Sequence, residues 1–170
     1  GQKCTAIRRT IVPRQYLDAV AEKLKARLAK VVVGDPSVEG VKMGALASHA
    51  QQTDVTERVA LLRQSAELVF GGGQDFNPVG DGVANGAFFQ PTLLLCQKPL
   101  ETDSVHDVEA FGPVSTLMPY DSEDEALQLA ARGQGSLVGT LVTHNPQVAA
   151  RMIPVAAALH GRLHILEVQR

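Results

Sequence analysis

Cysteine is scarce in this sequence of 170 residues, with only Cys4 and Cys96 present. Two thiols so far apart make no disulfide framework in a domain of this size, and a reducing, cytoplasmic setting is expected. Long apolar runs are missing too. No stretch reaches the roughly 18 apolar residues that a membrane-spanning helix needs, and no signal-peptide pattern opens the chain. Positive charge is not in excess: the formal net charge is −2, which argues against a general nucleic-acid surface. Arg14, Lys23, Lys25, Arg27 and Lys30 share their stretch with Asp18 and Glu22 and read as a solvated helix face. Several chemical signatures are absent as well. No G-x-S-x-G elbow occurs, Gly71–Gly73 is not followed by Lys-Ser/Thr, and Gly80, Gly82 and Gly86 miss the G-x-G-x-x-G spacing by one residue.

What is present fits a packed α/β domain. Hydrophobic residues make up 45% and charged residues 20%, enough for one buried core. Short apolar runs alternate with amphipathic segments. Residues 5–12 read as a strand rich in β-branched side chains. Pro13 then opens a helix, whose buried face is Leu17, Val20, Ala21, Leu24 and Leu28. That helix ends before the Gly34-Asp35-Pro36 turn. Residues 37–51 read as irregular. A second helix is expected from Thr53 or Asp54, with Glu57 completing a capping box and Val55, Val59, Leu62 and Ala66 on its buried stripe. Strands follow at 67–70, 92–96 and 114–119, with a loop at 74–90. Ser122 and Glu125 cap a helix that Gly133 and Gly135 end. A strand at 137–143, a helix opened by Asn145-Pro146 and a strand at 162–166 complete the order. Strand and helix alternating at this pitch imply parallel strands joined by helical crossovers.

Few residues stand out chemically. Cys4 is either a small buried hydrophobe or a nucleophile. Lys3, and one of Arg8 and Arg9, which alternate across the strand, would lower its pKa from the ordinary value near 8.5. Cys96 closes an apolar strand and reads as inert packing. In Glu109-Ala110-Phe111-Gly112-Pro113-Val114, a carboxylate and an aromatic precede a sharp Gly-Pro turn into a strand. Glu109 would accept hydrogen bonds from a sugar diol while Phe111 backs a flat ring; alternatively they are a surface acid and a core Phe beside a turn. His160 and His164 straddle Gly161 and enter a strand, so no metal site is expected. His49, His106 and His144 read as surface or structural.

Together these segments resemble the aldehyde dehydrogenase family. Gly1-Gln2-x-Cys4 resembles its nucleophile motif, Met43-Gly44-Ala45-Leu46 its Gly-Pro-Leu segment with Ala45 for Pro, and Pro91-Thr92-Leu93 a strand start. Glu109-x-Phe111-Gly112-Pro113-Val114 is similar to its second signature. Leu141-Val142-Thr143 and Gly161-Arg162-x-His164 fall where its last strands should lie. These features occur in family order along essentially the whole chain. A narrower likeness, in MGALAS, GAFFQPTLL, VEAFGPVSTLMPY and GSLVGTLVT, is to the dehydrogenase part of bifunctional ring-opening proteins of bacterial phenylacetate degradation. There an aldehyde dehydrogenase is joined to an enoyl-CoA-hydratase-like module.

The resemblance implies an α/β catalytic-domain fragment, mostly parallel sheet with flanking helices, over residues 1–170. The expected arrangement is truncation at both ends with the nucleotide-binding domain absent, since the chain starts at Gly1 within a motif. It also implies that Cys4 is the catalytic nucleophile, that Glu109 and Phe111 bind the cofactor (NADP or NAD in the full-length enzyme, none in this fragment), and that no metal takes part. The substrate would be an aldehyde, by the narrower likeness a CoA thioester, with no nucleic-acid or membrane partner, and the full-length protein a homo-oligomer. Val108 stands where the family often has a second acid. The general-base glutamate and the oxyanion-hole amide would lie upstream of Gly1, so this polypeptide alone should not turn over. Three alternatives remain at this level: another aldehyde dehydrogenase subfamily with a simple aldehyde substrate, a non-catalytic scaffold or oligomerisation domain, and a thiol hydrolase or acyltransferase with a histidine base near Cys4.

Overall fold

The computed structural model describes residues 1–72 and 76–167. They form an α/β fold in two compact units, residues 1–119 and 120–170.

The first unit is built on a four-stranded sheet in the order β1 (Arg9–Pro13), β4 (Val114–Tyr120), β3 (Thr92–Leu95), β2 (Glu67–Phe70). β3 and β4 run parallel, with Thr92 opposite Val114 and Leu95 opposite Leu117. β2 closes the other edge antiparallel to β3. Every residue of β3 is buried, as an unbroken apolar strand in a sheet interior should be. Helix α1 (Leu17–Leu28) lays the expected stripe on the sheet. Leu17 and Ala21 join Val12, Leu93, Leu95 and Leu117 in the core, with Val20, Leu24 and Leu28 packed against it. Each fully buried Leu there contributes about 1.5–3 kcal/mol.

The first strand begins at Arg9 rather than Thr5, because the chain before it is folded into turns: Lys3 N–H donates to the Gly1 carbonyl and Ala6 N–H to the Lys3 carbonyl. β1 runs through Pro13, and a single 3-10 turn (Arg14–Tyr16) separates it from α1. The second helix, α2 (His49–Leu62), starts a turn earlier than Thr53. Ser48 is its cap, its hydroxyl accepting from Gln51 N–H, so the apolar periodicity marked the buried stretch and not the true start. Val55, Val59 and Leu62 are buried along it, and Ala66 is buried beyond its end. The 37–51 segment expected to be irregular ends in the first turn of α2, and the chain around it is pinned by isolated bridges, Val33 to Met43 and Gly34 to Val79. The short helix α3 (Ser104–Asp107) leads into the Glu109–Pro113 turn. Gly71 and Gly72 both take the left-handed conformation. At Gly71 a Cβ would lie 2.0 Å from the Pro91 carbonyl oxygen, so only glycine allows that approach. Gly73, the last of that run, lies outside the described residues.

The second unit holds α4 (Glu123–Ala131), β5 (Ser136–Val142), α5 (Pro146–Leu159) and β6 (His160–Leu166), with β5 and β6 parallel. Its caps follow the sequence. Ser122 Oγ accepts from Glu125 N–H, and the Glu125 carboxylate accepts in return from Asp121 N–H. Asn145 Oδ1 accepts from Gln147 and Val148 N–H. The left-handed residues after α4 are Gln134 and Gly135, not Gly133. β6 starts at His160, two residues earlier than expected. No helix among the described residues is long and apolar enough to cross a membrane.

Candidate active site

Cys4 sits in the N-terminal double turn and is exposed. The Lys3 and Ala6 N–H groups are used inside that turn, whereas the Cys4 N–H has no acceptor among the described residues. Gln2 anchors the turn from behind. Its Oε1 accepts from Ala47 N–H at 2.7 Å and its Nε2 donates to Gln51 Oε1 at 3.0 Å. One side chain thus ties the turn both to the small-residue patch at 43–47 and to the first turn of α2.

The Glu109–Pro113 turn arrives at the same place from the far end of the unit's sequence. A Cβ on Gly1 would stand 2.3 Å from Pro113 N and 2.4 Å from the Gly112 carbonyl carbon and oxygen. Backbone therefore lies directly on backbone, a contact open only to glycine. Cys4 is three residues from Gly1, at most about 11 Å along the chain. Beneath the turn, Gly112 rests on the fully buried Val55, whose Cγ atoms would be 2.8 and 2.9 Å from an added Cβ. Ala110 and Gly112 face inward and are buried, while Glu109 and Phe111 face outward. This alternation is that of extended chain. It leaves a carboxylate and an aromatic ring, the latter 36% exposed, on one open face. That pair suits a ribose diol and a flat heterocycle.

The arginines contradict the expectation for them. Arg8 lies before β1, so strand alternation does not apply to it, and both guanidinium groups reach the α3 segment. Arg8 Nη2 donates to the His106 carbonyl at 2.7 Å and Nη1 to the Val108 carbonyl at 3.2 Å. Arg9 Nη1 lies 3.2 Å from His106 Nδ1. Burial, with the Arg8 charge second, lowers the Arg9 pKa to about 10. Cys96 is buried at the end of the β3 segment.

Among the remaining histidines, His49 bonds Gln52 Oε1 and the Asn85 carbonyl, and His160 the Ala156 carbonyl. Among the described residues no three His, Cys, Asp or Glu gather to hold a metal ion. Sequence reasoning missed Gln2 and His106 as parts of this site and gave Arg8 the thiol as its partner in place of the α3 segment. Only the Gly1-Gln2 spacing carried any signal, because Arg8 and His106 meet across about 100 residues of sequence.

The model of the Aldehyde dehydrogenase family matches residues 1–163. A 3,4-dehydroadipyl-CoA semialdehyde dehydrogenase of Aromatoleum evansii is 46% identical over 98% of this chain and 32% of its own length. Protein MaoC of Klebsiella aerogenes is 50% identical over 73% of this chain and 36% of its own. A betaine aldehyde dehydrogenase of Staphylococcus aureus, solved with NAD+ and a BME-modified cysteine, has a similar structure: TM-score 0.85, 25% identity, 99% of this chain and 33% of that one. A succinic semialdehyde dehydrogenase of Streptococcus pyogenes, solved with NADP+, gives 0.81 at 29% identity, covering 100% and 35%. The chain spans about a third of the length of these relatives.

Proposed function

This chain belongs to the aldehyde dehydrogenase family, and from that premise we propose that it carries the nucleophile and part of the nicotinamide site of an enzyme oxidising aldehydes to acids. The carrying observation is the contact of Gly1 with Gly112–Pro113, which brings the Cys4 turn to the face that bears Glu109 and Phe111.

In this reading the Cys4 thiolate attacks the aldehyde carbonyl carbon and forms a thiohemiacetal. The unengaged Cys4 N–H is available to donate to the oxygen as it gains charge. A bound nicotinamide dinucleotide would supply the acceptor for the aldehyde hydrogen as hydride; the acyl group then left on Cys4 Sγ would be released by water as the acid, restoring the thiolate. Glu109 would hold the ribose hydroxyls and Phe111 would back the ring. Gln2 and Val55 hold the two turns in place. The likeness to the Aromatoleum 3,4-dehydroadipyl-CoA semialdehyde dehydrogenase supports a CoA-linked semialdehyde as substrate, and two unpaired cysteines suit a reducing cytoplasm. The general base and the amide of the oxyanion site come from outside residues 1–170, as does the rest of the dinucleotide site. The full-length enzyme is a homo-oligomer.

Two measurements test this. A thiolate-selective alkylator should modify Cys4 well before Cys96, and added aldehyde should slow that labelling saturably; equal slow labelling, or no aldehyde protection, favours a scaffold without chemistry. The 170-residue polypeptide should give no NAD(P)H absorbance with a panel of aldehydes. Robust turnover would show that the missing groups are not required.

A further inference from the structure

Among the described residues His106 is one of three buried polar or charged ones, 3% exposed, and both of its ring nitrogens are engaged. Nε2 lies 2.8 Å from the Pro99 carbonyl, which can only accept, and Nδ1 lies 3.2 Å from Arg9 Nη1, which can only donate. These partners fix a neutral ring with the proton on Nε2. Its main-chain carbonyl takes one arm of the Arg8 guanidinium, and the Val108 carbonyl takes the other. Val108 directly precedes Glu109, and Arg8 follows Cys4 by four residues. Three hydrogen bonds therefore fasten the segment entering the Glu109–Phe111 turn to the segment leaving the Cys4 turn, and a fourth ties the His106 ring to Pro99. Elsewhere the two turns meet through the Gly1 backbone contact, which has no side chain to hold its register.

We propose that His106, clamped with Arg8 and Arg9, is the positioning residue that holds the Glu109–Phe111 face in register with Cys4. The proposal rests on the site reading given above. His106 touches neither thiol nor cofactor face; it acts by locking the backbone of residues 106–108. Truncating the ring takes one donor from the Pro99 carbonyl and one acceptor from the Arg9 guanidinium, and the turn loses its alignment to the thiol before the sheet itself melts.

The chain has no tryptophan, so Phe111→Trp introduces a single indole, a quencher of bimane at short range. Cys96 is buried, so under native conditions bimane attaches at Cys4. In Phe111→Trp the Cys4-bimane emission should be quenched relative to the Phe111 protein, and that quenching should be lost on adding His106→Leu with circular dichroism unchanged. His106→Gln, which keeps an N–H for the Pro99 carbonyl and an oxygen for Arg9, should restore it. Should His106→Leu fail to fold, His106→Asn, too short to reach Pro99, decides by the same readout. A folded Leu or Asn variant with undiminished quenching overturns the positioning role while leaving the site intact. Absence of quenching in Phe111→Trp itself overturns the site reading, and the positioning role with it.

Discussion

The Gly112–Val55 contact permits a quantitative test of how the cofactor-side turn is held. An alanine methyl at 112 would lie 2.8 and 2.9 Å from the two Val55 methyl carbons, well inside ordinary carbon contact near 3.5–4.0 Å. Val55 is fully buried and has one strongly preferred rotamer in a helix, so it cannot swing away. Gly112 does not require a positive φ, so the penalty is steric and not conformational. Overpacking of this kind costs about 1–3 kcal/mol. Val55→Ala alone removes two buried methyl groups and should cost about 2–3 kcal/mol including the cavity. In the double variant the new methyl occupies the vacated space, and the two costs should fall short of additivity by roughly 1–2 kcal/mol. Urea denaturation of the four proteins measures the cycle. If the effects add within about 0.5 kcal/mol, the turn does not bear on α2 as described and its placement by Val55 is wrong. Emission of Cys4-bimane in the Phe111→Trp background should fall out of step with stability, because Gly112→Ala lifts the turn while Val55→Ala does not.

Other outcomes follow from the same geometry. Gln2→Leu removes the acceptor of Ala47 N–H and the donor to Gln51 and should cost about 1 kcal/mol, read by thermal melting; a neutral result would deny the anchor. Asn145→Ala uncaps α5 and should cost about 1 kcal/mol, whereas Asn145→Ser should be nearly silent. Burial, with the Glu123 charge second, raises the Tyr120 pKa above its ordinary value. A folded-state pKa above the unfolded one gives stability complete below the unfolded value and lost as pH rises through the folded one. Urea midpoints should therefore fall less between about pH 9 and 11 in Tyr120→Phe than in the parent. Parallel curves for the two proteins would remove Tyr120 from the alkaline transition.

Much of the fold was legible in advance. The α1 stripe from Leu17 to Leu28, the strands at 67–70 and 92–95, and the Ser122 and Asn145 caps stand where residue type and spacing put them, because those signals are local. Errors fell where a local signal was outvoted. The start of α2 was set by the Ser48 hydroxyl and not by Asp54. The strand at β1 was shortened because residues 1–6 close hydrogen bonds within a turn. Arg8 and Arg9 were expected to divide between faces beside the thiol, and instead both turn to the α3 segment.

Composition and spacing by themselves determined a mixed α/β chain, because periodicity concerns neighbours in sequence; the resemblance of its ordered motifs to the aldehyde dehydrogenase family then marked Cys4, Glu109 and Phe111 as candidate functional residues. Only the tertiary structure decided that Gly1 lies on Gly112–Pro113, that Gln2 reaches Ala47 and Gln51, and that His106 is locked between Arg9 and Pro99. Apart from His106–Pro99, seven positions apart, those contacts join residues 45 to about 110 positions apart, and no spacing rule reaches that far; sheet order and core packing bring such pairs together, and burial makes their hydrogen bonds costly to lose.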